Sequence, residues 1–128
     1  MKILIDTHIL IWMLQDSPCL SRKVRDVFAD PETELYYSSV SIAEISVKHK
    51  VHPEEMPLTG DEAVESMPKL ACMSLAFSER HASTMDGLPL LHRDPFDRML
   101  IAQAKTEGMK LLSHDSQFPQ YGDFVIAV

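Results

Sequence analysis

Lys2-Ile3-Leu4-Ile5-Asp6 is a short run of aliphatic side chains that stops at an acid. A strand without polar alternation is one buried on both faces, as the central strand of a parallel sheet is. The rest of the chain can be read outward from it. Thr7 can cap a helix running to about Leu14. Ser21 can cap a second over Arg22–Ala29, which must stop before Asp30-Pro31 because the residue ahead of a proline resists helical geometry. Residues 35–38 read as the second strand and 40–50 as a helix. Pro53, Pro57 and Gly60 mark a loop, and a helix follows over about 61–67. Cys72–Leu75 is a third strand. Ser78 caps a helix to about Met85, and a loop carries Gly87, Pro89 and His92. Pro95 opens a helix over 96–107, with Gly108 just past its end. Lys110–Ser113 and residues 124–127 complete five strands alternating with helices. That alternation predicts a three-layer α/β/α domain around a mostly parallel, about five-stranded sheet.

Composition agrees with this pattern. The chain has 128 residues, 45% hydrophobic and 24% charged, and is expected to form one domain over 1–128 with a single core. It contains no repeat, low-complexity tract or linker. No apolar run approaches the roughly 20 residues of a membrane helix. Asp6 and His8 interrupt the apolar start and no small-residue cleavage site follows, which argues against a signal peptide. Cys19 and Cys72 are isolated thiols without CxxC spacing, so a reducing, cytoplasmic setting is expected, with both read as small buried hydrophobes.

Four acids fall where this topology gathers ligands. In open α/β sheets the site lies beyond the carboxyl ends of the strands, near the point where strand order reverses. Asp6 ends the first strand and Asp115 lies two residues past Ser113, at the end of the fourth. Glu44 follows Ser41 by three residues, as a capping box would require, yet it shares a helix face with Val40 and Val47 that should look inward. Asp97 is in the first turn of its helix on the face of Ile101 and Ala104. Asp94, just before Pro95, reads first as an N-cap and only secondarily as a ligand. Each acid alone has an ordinary use as a cap or turn residue. Four together on one sheet edge are costly to bury without a cation among them, and oxygen donors favour Mg²⁺ or Mn²⁺.

The blocks that carry these acids resemble, in order, those of PIN-domain ribonucleases, and specifically the VapC-type toxins of toxin–antitoxin modules. They are Leu4-Ile5-Asp6-Thr7-His8-Ile9-Leu10-Ile11-Trp12, then Ser38-Ser39-Val40-Ser41-Ile42-Ala43-Glu44-Ile45, then Asp94-Pro95-Phe96-Asp97-Arg98-Met99-Leu100-Ile101-Ala102-Gln103-Ala104 with Leu91-His92-Arg93 before it, then Leu111-Leu112-Ser113-His114-Asp115-Ser116-Gln117-Phe118. The resemblance covers almost the whole chain. It departs at Val51-His52-Pro53-Glu54-Glu55, which stands where relatives are expected to carry a Gly-containing turn. It implies a metal-dependent ribonuclease using Asp6, Glu44, Asp97 and Asp115, an RNA substrate, a VapB-like antitoxin partner and a self-paired dimer.

Other features are weighed against that expectation. The net charge of −7 opposes a polyanionic partner, although metal ions would offset part of it. Basic residues cluster near the acids, as Lys48, His49, Lys50 and His52 and as His92, Arg93 and Arg98; solvated faces and backbone contacts both account for them. Thr7 and Ser113 suit ligand orientation or plain capping, while His8 and His114 flank acids without a ligating pattern. Ile9, Ile11, Trp12, Leu14, Val24, Val27 and Phe28 exceed one buried stripe per short helix, which core packing or a partner groove would explain. There is no Gly-x-Gly-x-x-Gly, P-loop or Gly-x-Ser-x-Gly segment, and Asp6-Thr7-His8 lacks the second Asp of haloacid-dehalogenase-like enzymes. Two alternatives remain: a non-catalytic binding module of the same fold, and a housekeeping RNA-processing nuclease without an antitoxin.

Overall fold

A computed structural model describes residues 1–91 and 93–128; His92 lies outside the described residues. Five strands, β1 (Lys2–Ile5), β2 (Glu34–Ser38), β3 (Cys72–Leu75), β4 (Lys110–Ser113) and β5 (Val125–Ala127), pair in the order β3-β2-β1-β4-β5. Every pairing is parallel, so the expected mostly parallel sheet is wholly so. Among the described residues six α-helices connect them: α1 (Thr7–Leu14), α2 (Arg22–Ala29), α3 (Ser39–Val51), α4 (Gly60–Ser66), α5 (Glu79–Thr84) and α6 (Pro95–Glu107). The chain winds outward from β1 to β3 and returns to β4 on the other side of β1. The switch point therefore lies between β1 and β4.

Strand alternation sorts the core into two layers. Ile3 and Ile5 of β1 and Leu112 of β4 face α1–α4, packing with Ile9, Leu10, Val24 and Ile45. Leu4 and Leu111 face the opposite side, against Leu100, Ile101 and Ala104 of α6 and Phe118. β1 is buried on both faces, as its unbroken apolar run predicts. Truncating one of these fully buried aliphatics to alanine would cost about 2–5 kcal/mol.

Local signals explain most boundaries. Ser21 caps α2 by accepting from Val24 N–H at 3.3 Å. Asp94 caps α6, Pro95 occupies its first position, and Gly108 closes it at φ +65°, a left-handed geometry that glycine adopts without a Cβ penalty. α4 starts with a capping box between Thr59 and Glu62. The expected surplus of apolar residues on the first two helices is mostly core: Ile9, Ile11 and Val24 are buried. Trp12, Leu14, Val27 and Phe28 pack half-buried on the same cluster. Among the described residues no helix is long and apolar enough to cross a membrane.

Candidate functional site

The site forms at the carboxyl edge of β1 and β4. Asp6, 3% exposed, donates its backbone N–H to Leu112 O at 3.0 Å, which keeps it extended at the end of the sheet. That conformation is the one an N-cap requires. Of the two caps the sequence allowed, Asp6 and Thr7, it is therefore Asp6 that caps α1, its Oδ1 accepting from Ile9 N–H at 2.9 Å. Asp6 Oδ2 accepts from the Ser113 hydroxyl at the end of β4. Ser113 Oγ also accepts from Asp115 N–H at 3.0 Å, so one serine ties the first acid to the last.

Glu44, also 3% exposed, is aimed inward by α3, whose buried residues are Val40, Ser41, Glu44 and Ile45. Two details differ from expectation. Ser38, not Ser41, caps α3 by accepting from Val40 N–H at 2.9 Å, so the Ser41–Glu44 capping box does not exist. Val47 is 49% exposed. With about 100° per residue, a step of three from Glu44 leaves the buried stripe, whereas a step of four reaches Lys48 near the same face. Thr7 Oγ1 lies 2.7 Å from Glu44 Oε1 and 2.9 Å from Ser41 Oγ. A hydroxyl has one proton, and the carboxylate is the stronger acceptor, so Thr7 donates to Glu44 and accepts from Ser41. Lys48 Nζ donates to the other oxygen, Oε2.

The remaining acids come from α6 and the segment after β4. Asp94 Oδ1 accepts from Phe96 and Asp97 N–H at 2.9 and 3.3 Å. Asp97 is half-buried on the face of fully buried Ile101 and Ala104, as expected. Asp115 Oδ1 accepts from Gln117 N–H at 2.8 Å, a turn contact of the ordinary kind. Capping and turn roles are thus real for Asp6, Asp94 and Asp115. All three nonetheless line, with Glu44 and Asp97, one cavity of about 210 Å³, together with Thr7, His8, Lys48 and Phe118.

Electrostatics mark this cavity as short of positive charge. Burial, followed by the charges of Asp94, Glu44, Asp115 and Asp6, pushes the Asp97 carboxyl up to about 7. Burial also raises Asp6, against the lowering effect of its bonds from Ser113, Ile9 and His114 and of the nearby His8. For Lys48, burial acts to lower the pKa, but the bond and charge of Glu44, with Asp94 and Asp97 behind it, outweigh that and raise it. Such a set of oxygen donors fits a hard divalent ion, whose charge would relieve the crowding. Among the described residues no three His, Cys, Asp or Glu side chains are already gathered into a coordination group. Direct ligation by Glu44 Oε2 would require Lys48 to swing aside.

Lys48 and His8, noted in the sequence only as neighbours of the acids, join the site, and so does Phe118, which was not singled out. The spacing of Lys48 four residues after Glu44 and of His8 two after Asp6 carried the signal; Phe118 arrives by tertiary packing. The other basic residues scatter. His49 Nδ1 lies 2.8 Å from Met56 O, and Arg98 donates to the carbonyls of Pro89 and Met85 at 2.9 and 3.3 Å. His114 turns away, its Nδ1 2.7 Å from Val128 O.

The sequence matches the PIN domain family over residues 3–123. No curated protein sequence matches it significantly. Among solved structures it is similar to VapBC2 from Rickettsia felis bound to a promoter DNA fragment, at 14% identity and TM-score 0.71, covering 100% of this chain and 98% of that one. A toxin–antitoxin complex from Klebsiella pneumoniae matches at 17% identity and TM-score 0.66, covering 98% and 96%. VapBC-1 from nontypeable Haemophilus influenzae matches at 17% identity and TM-score 0.62, covering 94% and 92%. At such identities the likeness is one of fold.

Proposed function

The chain belongs to the PIN domain family, and from that premise we propose that it is a divalent-metal-dependent ribonuclease acting as the toxin of a toxin–antitoxin pair. The observation that carries this reading is the meeting of Asp6, Glu44, Asp97 and Asp115 around one cavity at the switch point of the sheet. In this reading Asp6 and Asp97 hold the ion directly. Glu44 and Asp115 hold it directly or through water, and Asp94 is peripheral. The 1–128 span works as one PIN domain, in the cytoplasm.

A bound Mg²⁺ or Mn²⁺ would supply activation of the attacking water and neutralisation of charge at the phosphate. The protein's part is preorganisation. Ser113 and Ile9 N–H fix both oxygens of Asp6, and Thr7 fixes one oxygen of Glu44. With its carboxyl pushed up to about 7, Asp97 is only partly ionised near neutral pH, and a bound cation would favour its ionised form. Lys48, at the cavity wall, is placed to meet a phosphate oxygen once Glu44 has another partner.

The partner assignment rests on likeness: the similar structures are described as toxin–antitoxin complexes or as VapBC assemblies. By that analogy this chain binds a VapB-like antitoxin and a second copy of itself. A basic antitoxin side chain in the acidic cavity would compensate its carboxylates and block RNA.

The test is RNA cleavage by the purified protein. Cleavage should require Mg²⁺ or Mn²⁺ and stop with chelator, and Asp97→Asn should reduce it by more than about a hundredfold, beyond the usual effect of losing an outer partner of a metal ligand. An Asp97→Asn protein that cuts as fast as its parent at saturating metal would refute the assignment.

A further inference from the structure

A second cavity, of about 290 Å³, adjoins the acidic one and is lined by His8, Lys48, His52, Glu55 and Met56. His8 and Lys48 line both, so the two cavities share a wall and make a two-part trough. Its outer wall is the loop after α3, in the stretch where the sequence departs from the turn expected of relatives. This wall is built. His52 N–H donates to Lys48 O at 2.8 Å, and Glu55 and Met56 N–H both donate to His52 O at 3.0 Å. His49 Nδ1, 2.8 Å from Met56 O, ties the loop's end to the helix. On the inner side the His8 ring sits 6.2 Å from that of Trp12, which is itself packed on His114.

We propose that this second cavity receives the RNA nucleotide next to the scissile phosphate, with loop residues 52–56 setting which base is preferred. The inference rests on the ribonuclease reading and adds a substrate position to it. The chemistry is divided along the trough. Lys48, at the junction, is the cation for the bridging phosphate. The imidazoles of His8 and His52 and the thioether of Met56 offer flat and apolar surface on which a base can stack. Glu55 would repel a phosphate, which places the base and not the backbone beside it.

Binding of a short, labelled, mixed-sequence single-stranded RNA by Asp97→Asn protein in Mg²⁺, followed by fluorescence anisotropy, tests the subsite without cutting the strand. His52→Ala and Met56→Ala in that background should each weaken binding by about fivefold or more, the scale of a lost stacking surface. Glu55→Lys should tighten it, and by more than Glu65→Lys, the same charge change on the exposed face of α4. Opposite signs from neighbouring positions exclude a general loss of fold. Affinities within about twofold of the background for both truncations, or equal effects of the two lysines, would overturn the proposal. Cleavage by the parent is read separately. Intact metal-dependent cleavage with indifferent His52 and Met56 sinks the subsite alone, whereas His52-dependent binding without any cleavage sinks the nuclease reading and leaves an RNA-binding trough.

Discussion

Asp97→Asn should make the metal-free protein more stable, and the gain should depend on pH. The carboxyl of Asp97 titrates near 3.8 in the unfolded chain and about 7 in the fold. Between those values the native state binds the extra proton, so stability falls as pH rises through the window and levels off above it. The full difference corresponds to about 4 kcal/mol against the ionised form. Asp97 is only half-buried, and solvent screening cuts that figure to about 2 kcal/mol. Asparagine keeps the shape and removes the titration. The stability difference between variant and parent, from urea unfolding in chelator, should therefore grow from near zero at about pH 4 to about 2 kcal/mol at about pH 8. In a thermal melt at the upper pH this is a rise of about 8 °C. Taking the difference cancels the titration of groups common to both proteins. Saturating Mg²⁺ should reverse the ranking, because only the parent retains the full ligand set. A difference that is flat with pH would refute the claim that Asp97 is crowded by its neighbours.

Three further outcomes follow from other contacts. Thr7→Val deletes the hydroxyl donated to buried Glu44 Oε1 and should cost about 1.5–3 kcal/mol in urea unfolding; an unchanged midpoint would mean the carboxylate finds another donor. A Cβ at Gly60 would overlap Ser46 Oγ and lie 3.3 Å from Ser46 Cβ. Gly60→Ala should thus destabilise by about 1–3 kcal/mol, most of it recovered in the Ser46→Ala double variant, and additive effects would contradict the close approach of α3 and α4. Co-expression with the product of the adjacent gene should yield a stable complex with suppressed nuclease activity; recovery of free, fully active protein would remove the antitoxin assignment and leave the nuclease one.

Sequence signals located elements well where they were local. Arg22–Ala29, bounded by Ser21 and Asp30-Pro31, was readable to the residue, as were Cys72–Leu75 and Lys110–Ser113. The first cap stayed open in the sequence because Asp6 and Thr7 are both competent. What decides between them is a bond from Asp6 to Leu112, a residue far along the chain. The apparent Ser41–Glu44 box failed for a similar reason: β2 ends at Ser38, and the helix begins there. Asp6, Glu44, Asp97 and Asp115 were legible as a set because strand ends, a helix first turn and the inward face of α3 are identifiable from pattern, and parallel topology fixes which edge they share. Lys48 on Glu44 was within reach of helical spacing. The junction of His8 with His52, Glu55 and Met56 was not, since nothing in local sequence says that the start of α1 faces the end of α3.

Burial raises the pKa of Asp6 and Asp97 alike, yet the two stand in different relations to the fold that holds them. Asp6 fastens α1 to the sheet and binds Ser113, so its removal loosens the protein. Asp97 is held against electrostatic cost, so its removal relaxes the protein. In a lineage that no longer needed the activity, drift would favour the two changes unequally. Asp97 would be shed early, with gain in stability, and Asp6 would linger as a structural relic. A descendant with the first acid intact and the third replaced would be a sound fold that had retired from its chemistry.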